Sequence, residues 1–239
     1  MESRNTLAAL LLGAAIALGL AALGYQLGDA AIRFKEYERS VAVKGLSERE
    51  YPADIVIWPI QFSAADNELE ALYATIEGNT AKIREFLLAQ GVAAEEITVA
   101  PPAITDKSAQ RFGDAQRAPF RYTGDQTVTV YSPQVDRVRG VMSKLAELGR
   151  QGIAFGGGEY QNQPEYLFTR LNEVKPAMIE EATMKAREVA LKFAADSGSR
   201  LGKIRQASQG QFSIEPRDRN NPHIKKVRVV STVEYYLSD

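Results

Sequence analysis

Three carboxylates near one another are the residues of this chain best suited to metal or acid–base chemistry. Glu48, Glu50 and Asp54 lie in or beside residues 45–53, a polar stretch whose Pro52 predicts a turn. Clustered carboxylate oxygens can bind a divalent cation. A surface turn with three acids is nevertheless common, and a solvated turn is the favoured interpretation. No metal-ligating residue is therefore predicted.

The only histidine, His223, is the candidate for nucleophilic or general-base catalysis. Such catalysis needs a nucleophile and an orienting acid that converge on the ring. The Gly-x-Ser-x-Gly elbow of many hydrolases is absent from the sequence. No catalytic residue is therefore predicted, and a hydrolase that uses His223 or carboxylates is kept only as an alternative.

Two further motifs have the residue types of functional sites. Gly156–Gly158 follows a predicted strand, as phosphate-binding loops do, but no Lys-Ser/Thr pair follows it and Glu159 would repel a phosphate. Glu180 and Glu181 are adjacent in a predicted helix, where neighbouring residues do not face each other. A flexible turn and a solvated helix face are the favoured interpretations, and no cofactor-binding residue is predicted.

The densest basic cluster of the chain lies near its C-terminus. It could meet an anionic lipid or another polyanion, although Asp218 dilutes its charge and a solvated loop is favoured. The aromatic residues Trp58, Tyr235 and Tyr236 are interpreted as core and sheet-edge residues and not as ligand stackers. The members of the basic cluster are Arg217, Arg219, Lys225, Lys226 and Arg228.

Composition narrows the function classes. With 29 basic and 30 acidic residues the formal net charge is −1, which gives no indication of nucleic-acid binding. The absence of cysteine excludes disulfides, thiolate catalysis and cysteine metal sites. Hydrophobic residues make up 45% of the 239 residues, as in ordinary globular proteins. No cofactor is predicted.

Periodicity and turn residues predict the elements that position these groups. The predicted strands are Ser40–Leu46, Asp54–Ser63, Ile97–Ala100, Phe120–Tyr131, Gly152–Tyr160, Glu165–Arg170, Lys203–Ile214 and Lys225–Leu237. The predicted helices run from a cap at Asp66 to about Gln90, from Ser132-Pro133 to Gly149, and from Pro176 to Ser197, with an exposed loop at residues 106–119.

The order β-β-α-β-β-α-β-β-α-β-β favours an α+β fold, with largely antiparallel sheet, helices packed on one face and duplicated β-α-β-β units. Pro59 predicts an edge position or a bulge in the second strand. Three buried stripes are predicted: Val56, Trp58, Ile60 and Phe62 in the second strand; Met178, Ala182, Ala186, Val189 and Phe193 in the last helix; and Val227, Val229, Val233, Tyr235 and Leu237 in the last strand, interrupted by Ser231.

Residues 6–25, TLAALLLGAAIALGLAALGY, are long and apolar enough for a transmembrane helix. An uncleaved signal anchor is favoured over a cleaved signal peptide, for which Ala22-Leu23-Gly24 offers a site. The predicted organisation is a tail at 1–5, this helix at 6–25, a linker at 26–39 and one domain at 40–239. Lys and Arg counts lean towards a cytoplasmic C-terminal part.

Residues 41–64, VAVKGLSEREYPADIVIWPIQFSA, resemble the start of SIMPL-domain (DUF541) proteins, through Val43, Gly45 and the run Pro52–Asp54. The segments AREVALKFAADSGSRLGKIRQAS and KKVRVVSTVEYYL are similar to the later signatures of that family. Together they cover about residues 40–237. The resemblance implies an α+β domain of the bacterial cell envelope, typically periplasmic, often linked to stress tolerance and in some members homo-oligomeric, with no established enzyme activity or cofactor.

The resulting hypothesis is a non-enzymatic SIMPL-type protein of the bacterial inner membrane. It would be a single-pass protein, held in the membrane through residues 6–25, with a periplasmic domain that acts by binding or homo-oligomeric assembly. The alternative is an envelope hydrolase or a module that binds a small ligand in a pocket between helices and sheet. A structure with an apolar pocket and a few convergent polar groups would favour the module.

Overall fold

The computed structural model describes residues 2–36, 39–109, 119–156 and 163–238, with side chains omitted for residues 2–11 and 31–36. The chain divides into two compact units. The first contains the described residues up to Glu48, Lys175–Ser213 and those from Arg228 onwards; the second contains Arg49–Val174 and Ile214–Val227. Apart from the N-terminal segment of the first unit, both units lie within residues 40–239, the range predicted as one domain.

The N-terminal segment forms one long helix, α1, from Glu2 to Glu36. Its 35 residues would extend about 50 Å. The window Leu12–Ala30 has a mean hydropathy of 1.3 and none of it is buried inside the protein. Length and composition thus suit a membrane span, a test that signal sequences also pass. The helix continues past Tyr25 through much of the stretch interpreted as a linker.

The first unit is built on a four-stranded sheet with the order β1-β10-β8, with β9 also paired to β10. The strands are β1 Ser40–Pro52, β8 Arg200–Gln209, β9 Ser213–Pro216 and β10 Ile224–Ser238. Leu237 N–H donates to the carbonyl of Arg39 at 2.9 Å, and Ala53 N–H to that of His223 at 2.8 Å. Since these bonds join opposite ends of the two strands, β1 and β10 are antiparallel.

The turn expected at residues 45–53 is wrong, because β1 continues through it to Pro52. The polar residues there alternate with buried ones: Gly45 and Ser47 face the interior, whereas Glu48 and Glu50 face solvent. A polar run was thus mistaken for a turn when it is the solvent face of an edge strand. The last strand is as expected, with Val227, Val229, Val233, Tyr235 and the interrupting Ser231 all buried.

Helix α5, Leu171–Asp196, covers this sheet. It begins before the expected Pro176, and its buried residues are Met178, Ala182, Ala186, Ala190 and Ala194. Val189 and Phe193, expected in the stripe, are 41% and 56% exposed. A Cβ on Gly45 of β1 would overlap the Ala182 carbonyl oxygen and lie 2.5 Å from the Ala186 nitrogen. The helix backbone therefore rests directly on the strand, and only alanine fits between them.

The second unit contains a six-stranded sheet with the order β3-β5-β2-β6, in which β4 also pairs with β5 and β7 with β2. The strands are β2 Ile55–Asp66, β3 Ile97–Val99, β4 Ala103–Asp106, β5 Tyr122–Ser132, β6 Ala154–Phe155 and β7 Glu165–Leu167. All are antiparallel to their partners. Its core contains the predicted stripe Val56, Trp58, Ile60 and Phe62. The loop expected at 106–119 falls largely at 110–118, outside the described residues.

Strands β6 and β7 were expected to pair with each other, but each pairs with β2 instead. Gln61 of β2 accepts a bond from Gly156 N–H at 3.2 Å. Every second residue of a strand directs its backbone N–H and C=O groups to the same neighbouring strand. The backbone of Pro59 therefore faces the β6/β7 side, as that of Gln61 does, between the paired residues 55–57 and 62–63. No described residue pairs with Pro59 on that side, so its missing N–H removes no ladder bond among the described residues. Strand β2 itself lies between β5 and the short strands β6 and β7, so it is not an edge strand of the sheet.

Helix α2, Leu69–Ala89, packs on this sheet through Leu72, Ile76, Asn79, Ile83 and Leu87. Leu69 and Tyr73, two further large hydrophobic residues of this helix, are more than 40% exposed. Asp66 does not cap the helix itself; its carboxylate accepts a bond from Glu68 N–H at 3.0 Å, just before the first turn. Gly91 ends the segment with φ +83°, the left-handed conformation expected there. Two short helices follow β5, namely α3 Val135–Met142 and α4 Ala146–Gly149.

The predicted duplication of a β-α-β-β unit is present in the strand orders. In the second unit, β2, α2, β3 and β5 occur in this order along the chain. In the sheet, β5 lies between β2 and β3. In the first unit it makes β1, α5, β8 and β10, and β10 lies between β1 and β8. In each repeat the third strand, β5 or β10, therefore lies between the other two, and Arg49–Val174 of the second unit is inserted into the first unit within β1, after Glu48.

Candidate functional sites

The three acids singled out from the sequence serve three separate partners. Glu48 lies 3.8 Å from Arg228, and Glu50 lies 3.6 Å from Arg217. The Asp54 carboxylate accepts bonds from the backbone and hydroxyl of Thr169. Among the described residues no group of three histidine or acidic side chains is arranged to hold a metal ion. These acids therefore act in ion pairs and loop anchoring.

His223 is held by packing and by its backbone. Its ring packs edge-on against Tyr166, with 6.0 Å between ring centroids, and its carbonyl accepts a bond from Ala53 N–H. Burial lowers the pKa of His223, and the positive charge of Arg139 lowers it further. Within the described ranges the imidazole makes no hydrogen bond to a serine or an acid. The geometry is therefore that of a packed residue and not of a catalytic pair.

Glu180 and Glu181 are divided between solvent and structure. Glu181 accepts bonds from the buried Ser47 hydroxyl at 2.8 Å and from Lys185 at 2.7 Å, while Glu180 is exposed. Ser47 lies on β1, so Glu181 connects α5 to the strand that it covers. Glu181 therefore has a structural role in the first unit.

The basic cluster is dispersed by ion pairs and burial. Arg217 donates to Asp218 at 2.9 Å, and this bond is the main reason that the pKa of Asp218 falls to about 2. Lys225 is only 8% exposed, and its burial lowers the pKa of its amine. Arg228 also lies near Glu48, and among the described residues no ion pair is formed by Arg219, Lys225 or Lys226. The cluster does not form a continuous anion-binding surface.

The remaining candidates are structural where the chain is described. Trp58 and Tyr235 are 4% and 3% exposed, as expected for core residues, and Tyr236 lies at the sheet surface. Gly156 bonds to β2, whereas Gly157, Gly158 and Glu159 lie outside the described residues.

Strand β8 presents an open edge in the first unit. All its residues except Leu201 are exposed, and its only partner among the described strands is β10. Ile204 pairs with Tyr235, so the two side chains share the face covered by α5. Yet Ile204 is 51% exposed whereas Tyr235 is 3% exposed. The helix therefore leaves this strand uncovered, and its outward N–H and C=O groups are available for pairing.

A cleft of about 580 Å³ in the second unit was not predicted from the sequence. It is lined by residues of α2, by the end of β2, by the start of β5 and by the segment that leads into β6. The polar residues that line it are Ser63, Thr75, Asn79, Thr123 and Asp125, and Phe120 contributes an aromatic ring. Its size lies within the range of small-molecule sites.

Asn79 is the residue of this cleft that sequence reasoning missed. It occupies an inward position of the apolar stripe Leu72–Ile76–Ile83 and is 8% exposed. A polar residue at an inward position of a helix is a signal available from the sequence, because buried polar groups need partners. Gln126 on β5 is a second buried amide, beside a smaller cleft of about 400 Å³.

Comparison with known families identifies the folded region. The SIMPL family model, described as a protein of unknown function (DUF541), matches residues 41–234. This range begins within β1 and ends within β10, so it contains both units. No curated protein matches the chain at a significant level.

Proposed function

The chain belongs to the SIMPL (DUF541) family, and from this premise we propose a membrane-anchored protein of the bacterial cell envelope that acts by homo-oligomeric assembly and not by catalysis. The soluble part faces the periplasm, and α1 holds it to the inner membrane. A role in stress tolerance, which the family resemblance implies, belongs to the same proposal.

The open edge of β8 is the observation that carries this proposal. The first sheet ends in β1 on one side and β8 on the other. Two open edges of one sheet allow the β8 edge of one copy to pair with the β1 edge of the next, a head-to-tail contact that closes into a ring when the rotation permits. The uncovered Ile204 gives such a contact apolar area to bury.

Topology is tested by a reporter fused after Asp239. A phosphatase that folds only outside the cytoplasm is expected to be active, and a fluorescent protein that folds only inside is expected to be dark. The matched pair carries the same reporters directly after residue 5, where the opposite pattern is expected. Cytoplasmic activity of the C-terminal fusion would overturn the envelope placement.

Assembly is tested by a proline placed on the outward side of β8. Gly210 N–H bonds to Val230 of β10 at 2.8 Å, so by alternation Ser208 bonds inward and Ala207 points outward. The substitution Ala207→Pro removes one outward donor and leaves the β10 ladder intact. We expect a smaller particle by light scattering after detergent extraction, with an unchanged circular dichroism spectrum.

The matched control is Ser208→Pro, which removes an inward donor. It is expected to lower the free energy of unfolding by about 1–3 kcal/mol, because a β10 carbonyl loses its partner. A monomeric wild-type protein would refute assembly. An Ala207→Pro protein of wild-type mass would refute β8 as the interface.

A further inference from the structure

The side chain of Asn79 lies at the wall of the 580 Å³ cleft and has no hydrogen-bond partner among the described residues, although the residue is only 8% exposed. Its amide atoms are not sealed in the core, because Ser231 Oγ is the one enclosed and unpaired side-chain atom of the described residues. The amide is therefore open to the cleft, and its hydrogen bonds go to whatever fills that space.

The neighbouring amide shows that this unit does pair such groups internally. Gln126 accepts a bond from the Thr80 hydroxyl at 2.5 Å and donates to the Ala100 carbonyl at 2.8 Å. Thr80 directly follows Asn79 on α2, but Thr80 and Gln126 line the smaller cleft whereas Asn79 lines the larger one. Gln126 is thus fixed by the fold, whereas Asn79 is left directed to the cleft.

The other polar groups define the chemistry that the cleft can accept. Ser63 and Thr123 contribute hydroxyls, and Asp125 contributes a carboxylate that only accepts hydrogen bonds when ionised. Thr75 already donates to the Ala71 carbonyl at 2.9 Å, which leaves its oxygen as an acceptor. No lysine, arginine or histidine is among the described residues that line the cleft. This set suits a ligand rich in O–H donors and disfavours an anion.

We propose that the cleft binds a neutral sugar of one or two rings. A carboxamide offers a donor and an acceptor side by side, which matches two neighbouring hydroxyls of a sugar, and Asp125 accepts from others. Phe120, which is 42% exposed, offers an aromatic surface for the C–H face of a pyranose. This site is argued independently of the proposed assembly, because its lining residues belong to the second unit and β8 belongs to the first.

The test uses the full chain in lipid nanodiscs, since sugar-headed detergents would compete for the cleft. Glucose, N-acetylglucosamine and maltose are titrated by calorimetry, with glucose 6-phosphate as the charged comparison. Saturable binding of at least one neutral sugar is expected, with weaker binding of the phosphate because of Asp125. The variant Asn79→Leu is expected to weaken binding about tenfold or more, with an unfolding midpoint equal to or above that of the wild type.

The matched control is Gln126→Leu, which removes an amide that the fold already satisfies. It is expected to lower the unfolding midpoint and to leave sugar affinity unchanged. The assembly variant Ala207→Pro should bind sugar as the wild type does, so failure of the assembly proposal and failure of this one are distinguishable.

Three results would overturn the sugar site. The first is the absence of saturable binding of any neutral sugar to the wild type, which would mean that Asn79 faces only water. The second is tighter binding of glucose 6-phosphate, which would reverse the charge preference. The third is a marked loss of stability in Asn79→Leu with unchanged affinity, which would make Asn79 a structural residue.

Discussion

Replacing Gly45 with alanine is expected to lower the free energy of unfolding by about 3 kcal/mol or more, at the upper end of overpacking effects. The added Cβ would overlap the carbonyl oxygen of Ala182 and lie 2.5 Å from the nitrogen of Ala186. Both are backbone atoms in the middle of a regular helix, so neither can rotate away as a side chain would. Either α5 lifts from the sheet or β1 bends.

The matched control for this substitution is Gly78→Ala. Gly78 lies within α2, and a Cβ there would meet nothing within 4 Å. Because alanine favours the helix, this variant is expected to gain about 0.5–1 kcal/mol. Thermal unfolding followed by circular dichroism gives both values, and hydrogen exchange should show lost protection around Ala182 in Gly45→Ala alone. Equal stability of the two variants would contradict the close contact of α5 with β1.

The role of Gly45 also shows where sequence reasoning reached its limit. The glycine was recognised as part of the family signature, but a polar neighbourhood assigned it to a turn. Ala182 and Ala186 of α5 were predicted to be buried, and they are. The position on β1 that meets these alanines depends on tertiary contact between residues far apart in the chain, which no local pattern contains.

The same contact explains the two errors in the α5 stripe. The helical period of 3.6 residues places Val189 and Phe193 close to the alanines, and their hydrophobicity favours their assignment to the buried stripe. The backbone contact at Gly45 sets the space between helix and strand. The side chains of Val189 and Phe193 are too large for that space, so they point outward. The strand stripes were predicted well because a period of two leaves a single choice of inward face.

The topology was predictable only in part. Alternation of strand pairs and helices indicated duplicated β-α-β-β units, and the strand orders agree. The insertion of one unit into the other was not predicted, since it rests on the pairing of β1 with β10 at opposite ends of the folded region. Similarly, the acids near β1 were interpreted as a solvated turn, because their separate partners come from distant strands and loops.

The cleft was missed because its chemistry is distributed over four segments, none of which has a motif of its own. The expected alternative, a pocket between helix and sheet, has a counterpart in it. One residue was recognisable in advance, since Asn79 interrupts the apolar stripe of α2. Asn79 was overlooked because the leucines and isoleucines of the same stripe already explained how α2 packs on the sheet.

Asp54 is the second position where a large loss is expected on substitution. Its side chain is 16% exposed and accepts bonds from three donors of one short segment. Both carboxylate oxygens lie 3.0 Å from Thr169 N–H, and one of them also accepts from the Thr169 hydroxyl at 3.1 Å and from Arg170 Nε at 3.2 Å. Asp54 N–H in turn donates to the Leu167 carbonyl at 2.8 Å.

These bonds fix the segment immediately before α5, which begins at Leu171. The substitution Asp54→Ala leaves the Thr169 donors without their acceptor, and we expect the free energy of unfolding to fall by about 2–3 kcal/mol. Asp54→Asn keeps one acceptor oxygen and should lose less. Urea unfolding of the full chain measures both, and hydrogen exchange should locate the loss at residues 167–175.

The control for the lost charge is Asp136→Ala, because its side chain is 95% exposed and makes one ion pair with Arg139 at 3.4 Å. An exposed pair of this kind contributes about 0.5 kcal/mol or less. If Asp54→Ala were as mild as Asp136→Ala, the carboxylate would be a surface charge and the signature Pro52–Asp54 would owe its role to the short connection between β1 and β2 alone. A loss several times larger, recovered in part by asparagine, would instead assign that role to the anchoring of α5.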